Sequence, residues 1–150
     1  MPTVVLVGTL DTKGHELAYL RDRVREQGVD VLLVDAGVFE PQIEADVSHD
    51  EVARAAGGDV AELAGSGDRG AAVTAMAHGA AEVARRLHAE GRLDAIAGVG
   101  GSGNSSIATA AMRALPVGVP KLMVSTLASG DTRPYVGAVE IGRASCRERV

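Results

Sequence analysis

Four short apolar runs recur along the chain, and each one passes into glycine or small polar residues. They cover residues 3–7, 29–35, 93–99 and 122–124. Short, mainly apolar runs bounded by turn-forming residues are typical of strands buried on both faces of a parallel sheet. Helix-like stretches separate the runs. The pattern therefore predicts an α/β fold, with a Rossmann-like, doubly wound, mostly parallel sheet in three layers.

Between the runs, apolar residues recur every three or four positions, as expected for helices with one buried face. A first helix is predicted between a loop of residues 8–14 and Gly28, and a longer helix over residues 71–90. The less regular residues 38–70 contain a capping box that begins at Ser48 and predicts a short helix. The rest of that stretch is either a lid or an elaborated connection.

The third apolar run leads directly into the glycine-rich residues 100–106. Glycine lets the backbone approach a ligand because no Cβ is in the way. The free N–H groups at the start of the next helix then favour an anion. Ser102, Ser105 and Ser106 add hydroxyl donors that a tight turn does not require. We interpret this segment as a phosphate cradle, with a ligand-free turn as the alternative.

Polar, glycine-bearing segments follow three of the predicted strands, at residues 8–14, 100–106 and 125–131. In parallel α/β sheets, ligands bind beyond the carboxyl ends of the strands, where the strand order reverses. We therefore expect the three segments to form one nucleotide site. Its predicted residues are Gly8, Thr9, Asp11, Thr12, Lys13, Gly100, Gly101, Ser102, Gly103, Asn104, Ser105, Ser125, Thr126 and Asp131.

A dinucleotide fingerprint also fits the glycines, because residues 98–103 read Gly-x-Gly-x-x-Gly. That fingerprint requires an acidic residue at the end of the next strand to bind the ribose. Here the next strand ends in Ser125 and Thr126, and Asp131 comes several residues later. NAD therefore ranks below ATP as the predicted ligand.

No catalytic residue is predicted. Residues 65–70 have the glycine spacing of a Walker A loop but lack its Lys-Ser/Thr pair. If a nucleotide binds, Lys13 is the lysine best placed to reach its phosphates, although an ordinary surface lysine fits the pattern equally well. Ser102 resembles a hydrolase nucleophile, but all four histidines precede it, whereas that hydrolase order places histidine last.

Three aspartates have two interpretations each. Asp11 and Asp131 offer oxygen to a phosphate-bound Mg²⁺, or else cap a helix and form a turn, respectively. Asp35 stands where nucleotide folds place a ribose-binding acid, or else it caps a turn. The sequence leaves these alternatives open and assigns no metal ligand.

Composition restricts the function classes. The chain has 150 residues, 46% of them hydrophobic, which suffices for one compact domain. A net charge of −5 argues against a nucleic-acid partner, because no basic stripe neutralises phosphates. No apolar run approaches the length of a membrane span, and no signal peptide opens the chain. We therefore expect a soluble, cytoplasmic protein.

The last eleven residues, 140–150, read like the translation of a sequencing-adapter oligonucleotide and contain the single cysteine, Cys146. A genuine basic C-terminal segment is the alternative. We expect residues 1–139 to be a Rossmann-like nucleotide-binding domain, truncated relative to a longer protein, and residues 140–150 to be a non-native read-through tail.

Several blocks of the sequence resemble a known family. They are residues 8–14, 68–70, 100–103 and 115–131, in order. In these blocks the chain is similar to the uncharacterised bacterial and fungal family related to the tomato tobamovirus-resistance protein, whose N-terminal domain binds ATP. The likeness extends over residues 3–139. One departure concerns the glycine loop, where the family usually has Gly-Gly-Ser-Gly-Gly-Thr and this chain has Asn104 and Ser105 in the last two places.

The resemblance implies a Rossmann-like N-terminal domain that binds ATP, with Mg²⁺, next to a second α/β domain of the same protein. It implies no reaction. The chemistry is either nucleotide binding alone, phosphoryl or acyl transfer, or nucleotide-controlled binding of a partner. The alanine-rich helix faces are also compatible with a homodimer.

Overall fold

A single parallel sheet carries the fold. The computed structural model describes residues 2–125, 133–136 and 140–145, and the following account concerns those residues. The sheet has the strand order β2-β1-β3-β4-β5, and every neighbouring pair is parallel. The strands are β1 Thr3–Gly8, β2 Asp30–Asp35, β3 Ala95–Gly100, β4 Lys121–Ser125 and β5 Gly142–Ser145.

Helices pack on both faces of this sheet. They are α1 Leu10–Glu26, α2 His49–Ala55, α3 Val60–Gly65, α4 Arg69–Ala89, α5 Ser102–Arg113 and α6 Arg133–Val136. Side chains of β1 alternate between two cores: Val5 and Val7 join the cluster of α4 and α5, whereas Leu6 joins that of α1. Because side chains alternate along a strand, the two cores lie on opposite faces. The predicted doubly wound, three-layer α/β fold is confirmed.

The strand order reverses between β1 and β3. The chain moves from β1 outward to β2, returns across β1, and then continues through β3, β4 and β5. Loops at the carboxyl ends of β1 and β3 therefore diverge on opposite faces and leave a crevice between them. Gly8 and Gly100, the last residues of the two strands, border this switch point.

Residues 8–14 do not form the predicted loop. Helix α1 already begins at Leu10, and only Lys13 departs from helical geometry, with φ −123° and ψ 20°. The physical reason is a tertiary contact, because Asp35 Oδ1 accepts a hydrogen bond of 3.2 Å from Leu10 N. A carboxylate from the next strand thus satisfies the start of the helix, and local sequence does not reveal this.

The other helix predictions hold with small changes. The capping box is confirmed, since Ser48 accepts a hydrogen bond from Glu51 N at the start of α2. Helix α4 begins two residues earlier than predicted, because Asp68 accepts from Ala71 N and caps it. Helix α3, capped by Asp59, was not predicted. Within the described residues, none of the helices combines the length and apolar character of a membrane span.

Residues 142–145 form the edge strand β5 beside β4. The expectation that residues 140–150 are a read-through tail stays a prediction. Two predicted site residues, Thr126 and Asp131, lie outside the described residues.

Candidate functional site

A cleft of about 590 Å³ opens at the switch point. This volume falls within the range of small-molecule sites. Its walls come from the start of α1, the segment after β2, the end of α3, and the first turns of α4 and α5. Side chains and backbone on these walls include Thr9, Asp11, Thr12, Gly37, Val38, Phe39, Leu63, Arg69, Val73, Gly101, Ser102, Gly103 and Asn104.

The first turn of α5 presents free backbone donors to the cleft. Its N-cap is Gly101, and no side chain among the described residues hydrogen-bonds to the first turn as a cap. By contrast, Ser48, Asp59 and Asp68 cap α2, α3 and α4 with side-chain oxygens. Uncapped N–H groups together with the helix dipole favour an anion. Phosphate binding at this turn stays a prediction.

Arg69 supplies a positive charge at the same place. A Cβ placed on Gly103 would lie 3.9 Å from Arg69 Nη2, so the guanidinium stands over the first turn of α5. The side chain is exposed, and the structure shows no ion pair between it and any described residue. Sequence reasoning did not select Arg69, because a residue at the start of a helix carries no local signal that it faces a distant loop.

Asn104 joins the two strands that flank the switch point. Its Nδ2 donates to Val99 O at 2.8 Å and to Val7 O at 3.3 Å, which ties the end of β3 to the end of β1. The residue is 4% exposed, and its Oδ1 has no hydrogen-bond partner among the described residues. A buried acceptor without a donor costs about 1–3 kcal/mol. A hydrogen bond from a ligand or an ordered water to Asn104 Oδ1 would remove this cost.

Ser105 and Ser125 do not reach the cleft lining. Both are buried, and their hydroxyls lie 2.6 Å apart, while Ser105 Oγ also donates to Gly101 O at 2.6 Å. The pair fastens α5 to the end of β4. Both serines therefore support the glycine loop, and their contact with phosphate stays a prediction.

The start of α1 forms the opposite wall. The hydroxyls of Thr9 and Thr12 lie 2.8 Å apart at its edge. Asp11 Oδ2 accepts from Phe39 N at 3.4 Å, and its Oδ1 is buried against Gly37 without a partner among the described residues. The half-buried Lys13 lies on the same turn but outside the lining. Because β1 and β3 are parallel, Lys13 and Gly101 do share one end of the sheet.

Asp35 has a structural role, because its carboxylate accepts hydrogen bonds from backbone N–H groups. It is 1% exposed, and its Oδ1 accepts from Gly37 N at 2.9 Å as well as from Leu10 N. Burial raises the pKa of this carboxyl above its usual 3.8, although the two backbone donors and the nearby His49 oppose the rise. Of the two interpretations of Asp35, the structure supports the capping role.

We expect Asp35→Asn to remove a pH dependence of stability. A raised folded-state pKa means that the folded protein holds the proton more tightly, so stability falls as pH rises from 3.8 through the folded-state pKa. The asparagine keeps an acceptor for the two N–H groups and has no charge to desolvate. Urea unfolding from about pH 4 to about pH 8 should show the parent losing free energy of unfolding relative to the variant. A difference that does not change with pH would contradict this account.

The cleft lining also includes apolar side chains that were not predicted. They are Val38, Phe39, Leu63, Val73 and Met76. Phe39, the single phenylalanine of the chain, is 60% exposed. These side chains come from α3, α4 and the segment after β2, so only the tertiary structure brings them together.

A metal site is not evident in the part of the chain that the structure describes, since no group of three or more His, Cys, Asp or Glu residues converges there. The expectation that Asp131 helps to hold Mg²⁺ falls outside the described residues and stays a prediction.

The parallel sheet and the cleft at its switch point define an α/β domain of the Rossmann-like, doubly wound class. The chain belongs to the uncharacterised protein family UPF0261, whose N-terminal-domain model matches residues 2–142. The resemblance drawn from the sequence blocks is confirmed.

Individual relatives agree with this assignment. A UPF0261 protein of Clostridium tetani is 45% identical over 139 residues, which cover 92% of this chain and 34% of the relative. One of Mesorhizobium japonicum is 45% identical over 141 residues, covering 94% and 35%. The ToMV susceptible protein tm-1(GCR26) of Solanum lycopersicum is 32% identical over 159 residues, covering 93% and 21%. The chain spans about a third of the length of the bacterial relatives it matches.

Proposed function

We propose that the cleft binds a nucleoside triphosphate, ATP, with its phosphates at the first turn of α5. The observation that carries the proposal is the pairing of an uncapped helix start with the guanidinium of Arg69 inside one cleft. Backbone N–H groups and a guanidinium are the donors that proteins use for phosphate. Gly101, Ser102 and Gly103 supply the N-terminal turn, and Thr9 and Thr12 supply hydroxyls across the cleft.

Mg²⁺ fits this arrangement because Asp11 places a carboxylate on the cleft wall. When bound to the phosphates, the ion would offset the negative charge that Asp11 adds to the cleft. Asp11 thus becomes compatible with an anionic ligand.

ATP ranks above NAD on a structural ground. A dinucleotide fold uses a free acid at the end of the strand beside the cradle to bind the ribose. Beside β3, the next strand β4 ends in Ser125. Asp35, the acid at the end of β2, is separated from β3 by β1, and its Oδ1 already accepts from Leu10 N and Gly37 N. No reaction follows from the cleft, so phosphoryl or acyl transfer and nucleotide-controlled partner binding remain alternatives. The cytoplasmic location, a further domain and a homodimer stay predictions.

Arg69→Ala is expected to weaken ATP binding about 30-fold, because hydrogen bonds to a charged group contribute about 1.5–3 kcal/mol. Isothermal titration of the 150-residue chain with Mg-ATP measures this. Arg86→Ala is the matched control, since Arg86 is exposed on the same helix and lies about 25 Å further along it. Arg69→Lys should lie between the two.

Lys13→Ala is measured in parallel. A loss as large as that of Arg69→Ala would support the predicted clamp by Lys13, whereas a small loss would assign the phosphate charge to Arg69. Parent protein that shows no heat with ATP would refute the proposed function itself.

A further inference from the structure

Two residues of the cleft lining carry acceptor oxygens that lack a donor. Among the described residues, the buried side-chain atoms without a hydrogen-bond partner are Asp11 Oδ1 and Asn104 Oδ1. Both residues line the cleft. Buried polar atoms without a partner are rare in folded proteins and require an explanation. A fully ionised phosphate only accepts hydrogen bonds, so a ligand that satisfies these oxygens carries hydrogen-bond donors as well as an anion.

The carboxylate of Asp11 has acceptor capacity left for such a donor. A carboxylate offers about four acceptor sites. The described residues fill one of them, through the bond of 3.4 Å from Phe39 N to Asp11 Oδ2. In Asp35, by contrast, Oδ1 accepts two backbone N–H bonds, and His49 Nδ1 lies 3.9 Å from Oδ2. Asp11 is therefore the better placed of the two acids to accept a hydrogen bond from a ligand.

Gly37 makes room for the Asp11 carboxylate. A Cβ at position 37 would lie 2.7 Å from Asp11 Oδ1 and 2.8 Å from Asp11 Cγ, which is closer than real Cβ atoms approach other atoms. Gly37 also lines the cleft. Its φ lies outside the left-handed region, so the backbone itself does not require glycine here. The missing side chain at position 37 therefore allows the carboxylate to keep its place on the cleft wall.

We infer that Asp11 accepts a hydrogen bond from the nucleoside part of the bound nucleotide, from a sugar hydroxyl or from a base amino group. This inference rests on the proposed function. The first turn of α5 holds the phosphates, and the first turn of α1 then holds a second part of the same molecule. A site that hydrogen-bonds a ligand donor rejects the analogue that lacks this donor, because the acceptor is left unpaired. Asp11 is thus a specificity-determining residue.

The test is an isothermal titration of the 150-residue chain with Mg²⁺ present throughout. ATP is compared with 2′-deoxy-ATP, with 3′-deoxy-ATP, with purine riboside triphosphate, which lacks the base amino group, and with tripolyphosphate, which lacks the nucleoside. At least one of the three nucleotide analogues should bind about 20-fold more weakly than ATP, because a hydrogen bond to a charged group is lost. The analogue that is rejected identifies the donor as a hydroxyl or an amino group.

Three variants connect this discrimination to the carboxylate. Asp11→Ala should bind ATP and the rejected analogue alike. Gly37→Ala should do the same, because its Cβ displaces the carboxylate without removing it. Glu16→Ala is the control and should keep the discrimination, since Glu16 is exposed on α1 outside the cleft lining. Thermal unfolding without ligand shows that each variant is folded.

The outcomes that contradict the inference differ from a failure of the proposed function. If neither ATP nor tripolyphosphate gives heat, the proposed function fails. If tripolyphosphate binds as tightly as ATP, or all three nucleotide analogues bind as well as ATP, Asp11 receives no donor from the nucleoside and the inference is refuted. If Asp11→Ala weakens ATP and the rejected analogue by the same factor, the discrimination does not come from Asp11, which also refutes it.

Discussion

Gly79→Ala is expected to destabilise the domain by about 2 kcal/mol, although alanine is normally the better helix former. Gly79 is buried in α4, where α2 crosses closely. A Cβ at this position would lie 2.0 Å from Val52 O and 2.9 Å from Val52 C. These are backbone atoms, so no rotamer change relieves the clash. Helix α2 must move away and loosen Val52 and Ala53, which are fully buried.

Two opposing free-energy terms decide whether Gly79→Ala stabilises or destabilises the domain. Replacing glycine in a helix gains up to about 1 kcal/mol, whereas overpacking against a fixed neighbour costs about 3 kcal/mol. Urea unfolding measures the difference, and the melting temperature should fall by about 6 °C. Gly65→Ala is the control, because Gly65 is also helical but a Cβ added there would meet nothing within 4 Å. It should be neutral or slightly stabilising. Equal effects at the two positions would refute the packing argument.

The sheet was predictable because its signal is local. A buried parallel strand needs a short continuous apolar run, and residues 4–7, 31–34 and 95–99 provide it without reference to the rest of the fold. The edge at which their loops meet also follows, since parallel strands share one carboxyl end. The start of α1 could not be predicted, because the acceptor for Leu10 N comes from Asp35, 25 residues away.

The cleft was predictable only in part. Its glycine-rich wall consists of consecutive residues, so Gly101 and Gly103 could be predicted as site residues from the sequence. Arg69 and Phe39 reach the cleft from the segments around α4 and β2, whose positions depend on how α4 packs against α5. The serines show that sequence also cannot tell which predicted site residues face the cleft. Ser102 and Ser105 look alike in sequence, yet Ser102 is exposed at the cleft and Ser105 is turned into the fold.

Gly103→Asp should separate stability from ligand binding. Gly103 is the second residue of α5, and a side chain there meets only Arg69 Nη2, at 3.9 Å from the Cβ. The variant should fold, because a carboxylate in the first turn interacts favourably with the helix dipole, by about 0.5 kcal/mol. It should also attract Arg69. The same carboxylate occupies the place proposed for phosphate, so ATP affinity should fall by at least about 100-fold through like-charge repulsion.

Gly103→Asn is the matched control, because asparagine has nearly the same size and no charge. It should bind ATP far better than Gly103→Asp, which would assign the loss to charge and not to volume. Titration with Mg-ATP gives the affinities, and thermal unfolding without ligand gives the stabilities. If the aspartate variant binds ATP as tightly as the asparagine variant, phosphate does not lie at the first turn of α5. If both variants unfold at a lower temperature than the parent, the fold itself requires glycine at position 103, and the expected separation of stability from ATP binding fails.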